Sequence, residues 1–171
     1  MKLLLTVLFF LATSAPAAAQ SLPTLHDRIR TIAAEEGFPG ETALALISIE
    51  SAFDTAAVNR TGNIGLMQLF PGTARTVIAG TTRSDLFNPE INVRIGLRYL
   101  RSMMERYGGD LEKGLRAYKN GPNIVDRGGG YSPASNSYIK RFYAAQKRYT
   151  IAPVPLGIPV DFPADTISIS Q

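Results

Sequence analysis

Apolar residues recur at helical spacing along most of this chain, three or four positions apart. Residues 88–109 carry the longest such pattern, and a glycine pair ends it. Its apolar stripe comprises Ile91, Ile95, Tyr99 and Met103. Shorter stretches of the same kind predict helices over about 25–36, 41–51, 71–79, 110–118 and 138–149. The pattern therefore predicts a mainly helical protein.

The helical pattern is interrupted in three places. Between Asp54 and Pro71 the period fails and glycines recur, which predicts a loop with a short hairpin. A glycine-rich loop is predicted over 121–137. Prolines then forbid a helix and predict an extended C-terminal tail over 151–171. Residues 20–150 have the length of one ordinary domain.

The first 19 residues have the layout of a secretory signal peptide. Lys2 precedes an apolar run, and the segment closes on the small residues Ala17–Ala19. We expect cleavage after Ala19, because the apolar run is too short to span a bilayer comfortably. An uncleaved membrane anchor is the alternative. Cleavage would release the mature chain into the periplasm, without stable membrane insertion.

Composition narrows the chemistry that the chain can support. There is no cysteine and one histidine, His26, so we expect no disulfide, no zinc or other transition-metal site, and no metal cofactor. The formal net charge is +4, and the positive residues are spread along the sequence. This distribution argues against nucleic-acid binding. It suits a polyanionic partner such as a cell-wall polymer or a membrane surface.

Glu50 is the candidate catalytic residue. If residues 41–51 are helical, Leu46 and Ile47 lie on the same helix face as Glu50, and Phe53 lies just beyond. Apolar neighbours remove water from a carboxylate, raise its pKa and keep it protonated nearer neutral pH. A general acid that protonates a leaving oxygen needs this property. The alternative is a solvated helix end without function.

The segment "NRTGNIGLMQLFPGTA" (59–74) is a candidate binding loop. Its glycines allow the backbone to approach a ligand closely, and Gln68 both donates and accepts hydrogen bonds. Recognition of an N-acetyl group needs such partners. By itself, however, the segment is more typical of a tight turn that leads into a helix.

Four ordered blocks of sequence carry a resemblance to a known family. The first two are "ESAF" (50–53) and the loop 59–74, which is similar to N-x-x-G-x-x-G-L-M-Q-L-x-P-x-T-A. The others are "NPEINVRIGLRYL" (88–100), similar to D-P-x-x-N-I-x-x-G-x-x-Y-L, and "AYKNGP" (117–122), similar to A-Y-N-A-G-P. Together they resemble the lytic transglycosylase SLT domain family, and the resemblance covers about residues 25–149.

The resemblance implies a lysozyme-like fold of the goose type with a cleft that holds a glycan strand. It implies cleavage of the β-1,4 bond between N-acetylmuramic acid and N-acetylglucosamine in peptidoglycan, which leaves 1,6-anhydromuramic acid without using water. The single catalytic acid of the family matches Glu50. Ordinary glycosidases need two carboxylates. Here the N-acetyl oxygen and the C6 hydroxyl of the substrate can serve as intramolecular nucleophiles.

Substrate-binding roles are implied for five further residues. Ser51 matches a small polar residue beside the acid, with a plain helix-ending serine as the alternative. Met67 and Gln68 match residues of the cleft wall that contact the sugar and its N-acetyl group. Tyr118 matches a tyrosine near the acid, with a core aromatic as the alternative, and Tyr138 matches one that borders the cleft. Packing and helix-start roles are expected for Asn92, Gly96, Tyr99 and Leu100.

The sequence departs from the family pattern in three respects. Asn88 replaces an aspartate, but asparagine also caps helices. Lys119 and Asn120 replace Asn and Ala of A-Y-N-A-G-P, so substrate contacts or the choice of stem peptides are expected to differ. A small domain with a Pro-rich tail, without cell-wall-binding repeats, resembles enzymes that open the wall for secretion systems, conjugation machinery or flagella.

Two alternatives to a lytic transglycosylase stay open. A lysozyme-like hydrolase on the same fold would need a carboxylate that positions water, and Asp54 is the nearest candidate. An inactive peptidoglycan-binding assembly factor would use the tail, residues 151–171, to recruit a component of an envelope-spanning machine. The retained Glu50 argues against loss of activity.

Overall fold

The computed structural model describes residues 23–151, and this part of the chain is mainly helical. In chain order its helices are α1 (Leu25–Glu35), α2 (Gly40–Glu50), α3 (Pro71–Val77), α4 (Pro89–Arg106), α5 (Leu111–Asn120), α6 (Pro122–Asp126) and α7 (Pro133–Ile151). A 3₁₀ turn, Asp85–Phe87, precedes α4. The predicted mainly helical fold is confirmed.

Local capping sets where the helices begin. The Thr24 hydroxyl accepts the N–H of Asp27 at 3.2 Å, and the Asp27 carboxylate accepts the N–H of Thr24 at 3.0 Å, which forms a capping box for α1. The Asn88 side chain accepts the N–H groups of Glu90 and Ile91 at the start of α4. The asparagine that departs from the family pattern therefore caps the helix.

Helix α2 lies at the centre of the core. All side chains from Thr42 to Ile47 are buried, and α2 packs most extensively against α7 and next against α1. Burial of each large apolar side chain in this run contributes about 1.5–3 kcal/mol. Because α2 and α7 pack along each other, the end of α2 comes close to Tyr138 in α7.

The loop between α2 and α3 rests on α4. In place of a regular hairpin, it contains two isolated antiparallel bridges, Val58 with Ile64 and Ile64 with Leu69. The fully buried Asn92 amide donates to the Ile64 carbonyl at 2.9 Å, and its oxygen accepts the N–H of Met67 at 2.8 Å. A single side chain of α4 therefore replaces part of the strand pairing that a hairpin would supply.

The predicted glycine-rich loop over 121–137 is too long. Helix α6 begins at Pro122 and α7 begins at Pro133. Proline suits the first turn of a helix, because its fixed φ angle is helical and its missing N–H would have no partner there. The irregular part is confined to the residues between these helices, where Gly128 and Gly130 have φ angles of 77° and 81°.

Within residues 23–151, none of the helices has both the length and the apolar composition that a membrane span requires. The predicted signal peptide, residues 1–19, lies outside the described residues. So does the predicted tail, residues 151–171, apart from Ile151, which ends α7.

Candidate active site

Glu50 is the last residue of α2 and lies where this helix leaves the core. Leu46 and Ile47, on the same helix face, are fully buried, and the Phe53 ring packs against the core. Glu50 itself is only partly exposed. These are the apolar surroundings that the sequence predicts for this carboxyl.

Burial raises the pKa of Glu50 above its ordinary value of 4.5. Three groups oppose that effect. The Tyr138 hydroxyl donates a hydrogen bond to Glu50 Oε1 at 2.7 Å, and the positive charges of Lys119 and Arg141 favour the carboxylate. Desolvation is the largest influence, so Glu50 keeps its proton to higher pH than an exposed glutamate does.

Two tyrosines flank the acid. Tyr138 is 2% exposed and contacts Glu50 directly through its hydroxyl. The half-buried Tyr118 donates its hydroxyl proton to the backbone carbonyl of Met67 at 2.7 Å, and its ring lies 5.3 Å from the ring of Tyr99. Burial and the nearby Glu50 raise the pKa of both tyrosines well above their usual range. Both hydroxyls therefore remain protonated hydrogen-bond donors.

Met67 and Gln68 are placed differently from each other. The Met67 side chain is fully buried and packs over Gly96, where an added Cβ would lie 2.3 Å from its sulfur. Met67 therefore supports the wall from behind, and its predicted contact with the sugar stays a prediction. Gln68 lines the cleft, and its side-chain amide donates to the carbonyls of Gly65 and Ala57.

The backbone around the acid is strained. Ala52 and Phe53, which follow Glu50 and Ser51, have φ angles of 50° and 67°, and Gln68 has a φ of 49°. Residues other than glycine rarely adopt these left-handed backbone angles, and those that do concentrate at functional sites. The Ser51 hydroxyl lies 3.4 Å from the carbonyl of Ile47 in the preceding turn, so Ser51 ends the helix as well as lining the cleft.

Glu50 opens into a cleft of about 490 Å³. Its polar lining includes Glu50, Ser51, Asp54, Asn59, Gln68 and Arg141. Val58 adds an apolar surface that is 48% exposed. A mixed lining of this kind suits a sugar, which presents hydroxyl and amide groups at its edges and C–H groups on its faces.

Asp54 lies in the same cleft but differs from Glu50 in its surroundings. It is exposed to solvent, and its Oδ1 accepts the N–H of Ala56 at 2.9 Å within the local turn. One of its two carboxylate oxygens is therefore occupied by a hydrogen bond within the turn.

Two features of the site are absent from the sequence predictions. The hydrogen bond between Tyr138 and Glu50 joins residues 88 positions apart, which a single sequence does not reveal. Arg141 lines the cleft, although no motif includes it. Its spacing of three residues from Tyr138 on one helix was the available signal, because such residues share a helix face.

A metal site is not evident in the part of the chain that the structure describes. No group of three or more histidine, cysteine, aspartate or glutamate side chains there is arranged to hold an ion.

The region that forms the site is similar to known proteins. The family model described as "Transglycosylase SLT domain" matches residues 27–140. The chain is 28% identical over 106 residues to the soluble lytic murein transglycosylase of Escherichia coli (strain K12), covering 58% of this chain and 16% of that protein. It is 33% identical over 115 residues to the membrane-bound lytic murein transglycosylase C of Edwardsiella ictaluri (strain 93-146), covering 59% of this chain and 32% of that protein.

The fold is similar to a solved structure as well. The 70 kDa soluble lytic transglycosylase from Escherichia coli matches with a TM-score of 0.64 and 26% identity, over 72% of this chain and 24% of that one. The chain spans from about a sixth to a third of the length of these curated relatives.

Proposed function

The chain belongs to the transglycosylase SLT domain family, and on that premise we propose that it is a peptidoglycan lytic transglycosylase. Its substrate is the β-1,4 bond between N-acetylmuramic acid and N-acetylglucosamine. The observation that carries the proposal is Glu50: a carboxyl with a raised pKa, held by Tyr138 at 2.7 Å, that opens into a cleft of suitable lining.

Glu50 acts first as the general acid. Tyr138 donates to Oε1, so the acidic proton is carried by Oε2 and can pass to the glycosidic oxygen. The bond from that oxygen to C1 of the muramic acid then breaks, and the N-acetylglucosamine side leaves as an alcohol. A positioned acid of this kind contributes about 10²–10⁴-fold to a rate.

Glu50 then acts as the base. The N-acetyl oxygen of the substrate stabilises the positive charge at C1 until the C6 hydroxyl attacks this carbon. Glu50, now a carboxylate, accepts the hydroxyl proton, which restores the acid and leaves a 1,6-anhydro ring without consuming water. Because both nucleophiles belong to the substrate, their effective concentration is high and a second enzymic carboxylate is unnecessary.

The surrounding residues bind and orient the glycan. Ser51 and Gln68 line the cleft and supply polar groups to the sugar and its N-acetyl arm. Tyr138 positions the acid, while Tyr118 fixes the Met67 carbonyl and with it the wall that carries Gln68.

A hydrolase on the same fold is the second candidate, because the Asp54 carboxylate lines the cleft that contains Glu50. A water-positioning base in an inverting glycosidase sits across the sugar from the acid. Asp54 Oδ1, however, accepts a hydrogen bond from the N–H of Ala56 in its own turn, which argues for a structural role.

Digestion of purified sacculi, followed by mass spectrometry of the muropeptides, tests the proposal. The wild-type protein should release fragments with 1,6-anhydro ends. Glu50→Gln should lower their release by at least about 10²-fold, and Asp54→Asn should retain it. Sacculi that stay intact with the wild-type protein would instead favour an inactive peptidoglycan-binding factor. Reducing ends that disappear in Asp54→Asn would favour a hydrolase.

We also propose that the enzyme works in the periplasm and opens the wall locally for a secretion, conjugation or flagellar apparatus. The signal-like residues 1–19 support the location, and the Pro-rich residues 152–171 support a partner, since proline-rich segments serve as recognition motifs. Deleting residues 152–171 should abolish capture of components of such an apparatus while sacculus digestion continues. Unchanged capture would contradict the role of the tail.

A further inference from the structure

Two positive side chains lie near Tyr138. The ammonium group of Lys119, on α5, lies 5.3 Å from the centroid of the Tyr138 ring. Arg141 follows Tyr138 by three residues on α7, so the two side chains share a helix face. Arg141 lines the cleft, and the hydroxyl of Tyr138 contacts Glu50. Both cations lie close enough to the catalytic acid for their charges to favour its carboxylate form.

Both cations are exposed, and neither forms an ion pair with any carboxylate among residues 23–151. Several other arginines of this fold are engaged by carboxylates. They include Arg94, Arg98, Arg106 and Arg116. Other unpaired cations occur on the surface, but Lys119 and Arg141 are the positive residues whose charges act on Glu50. Their position beside the acid thus distinguishes them.

The carboxylates of the cleft leave this pair of cations without a salt bridge. Asp54, which lines the cleft with Glu50, accepts the N–H of Ala56 and forms no ion pair among residues 23–151. Both cations are therefore available to a bound substrate. An anionic group on that substrate gains both attraction and a direct partner there.

We propose that Lys119 and Arg141 bind a carboxylate of the stem peptide carried by the muramic acid residue. This inference rests on the proposed function, because it assumes that peptidoglycan occupies the cleft. The stem peptide begins at the lactyl group of the muramic acid whose glycosidic oxygen Glu50 protonates, and its free carboxylates are the negative charges nearest the scissile bond. Lys119 and Arg141 then select peptide-bearing glycan over bare glycan.

The sequence supports a specificity role for Lys119. It replaces the asparagine of the A-Y-N-A-G-P block, so a charge stands where the family pattern has a neutral amide. Arg141 suits a carboxylate because its guanidinium can donate two parallel hydrogen bonds. The positive charges of Lys119 and Arg141 lower the pKa of Glu50. A bound carboxylate of the substrate neutralises these charges and so raises that pKa. Binding of the peptide therefore favours the protonated acid that cleavage needs.

Binding measurements on Glu50→Gln test this inference without cleavage. The probes are disaccharide-repeat fragments that carry stem peptides, the same fragments with esterified carboxylates, and peptide-free fragments. Isothermal titration calorimetry should show that the fragments with free stem-peptide carboxylates bind more tightly than the esterified and the peptide-free fragments. Adding Lys119→Gln or Arg141→Gln should reduce this preference by about threefold each, and the pair by about tenfold. Raised salt should weaken it in the same direction.

A charge-matched control uses Lys113→Gln with Lys140→Gln, which removes two exposed lysines from the same two helices. This control should keep the preference for peptide-bearing fragments. Equal binding of all three probes, absence of binding, or a preference that survives in Lys119→Gln/Arg141→Gln would overturn the inference. Failure of the proposed function would appear separately, as an absence of anhydro ends in the digestion of sacculi.

Discussion

At the level of single residues, the Glu50 carboxyl is subject to opposing influences. Burial at the end of α2 favours the neutral form, whereas the Tyr138 hydroxyl and two nearby cations favour the carboxylate. A residue that must act first as an acid and then as a base benefits from such a balance, because neither protonation state is strongly disfavoured. Tyr138 is the member of this group with direct contact to the acid.

Tyr138→Phe should shift the pH dependence of catalysis upward. Glu50 must be protonated to begin the reaction, so kcat/KM falls as pH rises through its pKa. The Tyr138 hydrogen bond lowers that pKa, and its loss moves the alkaline limb of the profile to higher pH. We also expect kcat/KM to fall about tenfold, since the carboxylate that develops on Glu50 during proton transfer loses its hydrogen bond from Tyr138.

The matched control is Tyr118→Phe, whose hydroxyl donates to the Met67 carbonyl and not to Glu50. It should lack the upward shift of the alkaline limb. A downward shift in Tyr138→Phe, or equal shifts in both variants, would contradict this account of the acid.

Glu50→Gln should stabilise the protein more at pH 8 than at pH 4. The folded-state pKa of Glu50 is raised above 4.5, so the wild-type protein loses stability as pH rises through the folded pKa, whereas the amide does not titrate. The glutamine oxygen can still accept the Tyr138 hydrogen bond. Urea unfolding at both pH values measures the difference. A stabilisation that is larger at the acidic pH would contradict the direction of the shift.

At the level of elements, the loop that carries Met67 and Gln68 depends on α4. Asn92 satisfies three buried backbone groups, those of Ile64, Met67 and Leu86, at 2.8–2.9 Å. Close contact is possible because Gly65 and Gly96 leave room: a Cβ on Gly65 would lie 2.4 Å from the Asn92 amide nitrogen. The wall of the cleft is therefore held by a polar side chain within an otherwise apolar core.

Asn92→Ala should lower the free energy of unfolding by about 3 kcal/mol, because buried donors and acceptors lose their partner. Asn123→Ala, which changes an exposed asparagine on α6, should alter it by less than about 0.5 kcal/mol. Chemical denaturation of both variants measures the contrast. Similar values for the two variants would show that Asn92 does not hold the loop.

Several elements could be predicted from the sequence because their causes are local. The apolar stripe of α4 and the cap at Asn88 depend on neighbouring residues. The start of α7 at Pro133 was missed, since a Gly-Pro-rich stretch is also typical of a loop. The glycines of the 54–70 segment predict a loop with a short hairpin, and the loop forms. Its two isolated bridges depend on Asn92 in a distant helix, which the local sequence does not reveal.

The candidate site divides in the same way. The apolar neighbours of Glu50 lie within one helical turn and are readable from spacing. The contact of Tyr138 with Glu50 requires that α7 pack along α2, which is a property of the whole fold. The resemblance to a family predicts that Tyr138 borders the cleft. The structure shows in addition that its hydroxyl donates a hydrogen bond to Glu50 Oε1.

At the level of the whole molecule, ion pairs fasten α1 to α4 away from the cleft. The Glu36 carboxylate is buried. The N–H at Nε of Arg98 is shared between its two oxygens, and a terminal nitrogen of Arg98 donates to Oε1. Arg94 forms a further ion pair with Glu36 at 3.5 Å. This contact holds the outer helices of the bundle around α2. It contributes to stability and has no contact with Glu50.

Glu36→Ala should therefore destabilise the fold by about 2 kcal/mol, because it leaves a partly buried arginine without its partner. Glu35→Ala, which removes a more exposed pair with Arg94, should lower the free energy of unfolding by less than about 1 kcal/mol. Thermal denaturation measures both. Neither variant should alter the pH profile of kcat/KM, and a shift in that profile would contradict a purely structural role.

We propose that one carboxyl group, that of Glu50, cleaves the glycan without water. Digestion of purified sacculi in H₂¹⁸O, with mass spectrometry of every muramic acid end, tests it directly. We expect 1,6-anhydro ends that carry no ¹⁸O at C1 and that disappear in Glu50→Gln. Reducing ends labelled with ¹⁸O as the main product would show that water attacks this carbon and would contradict the claim.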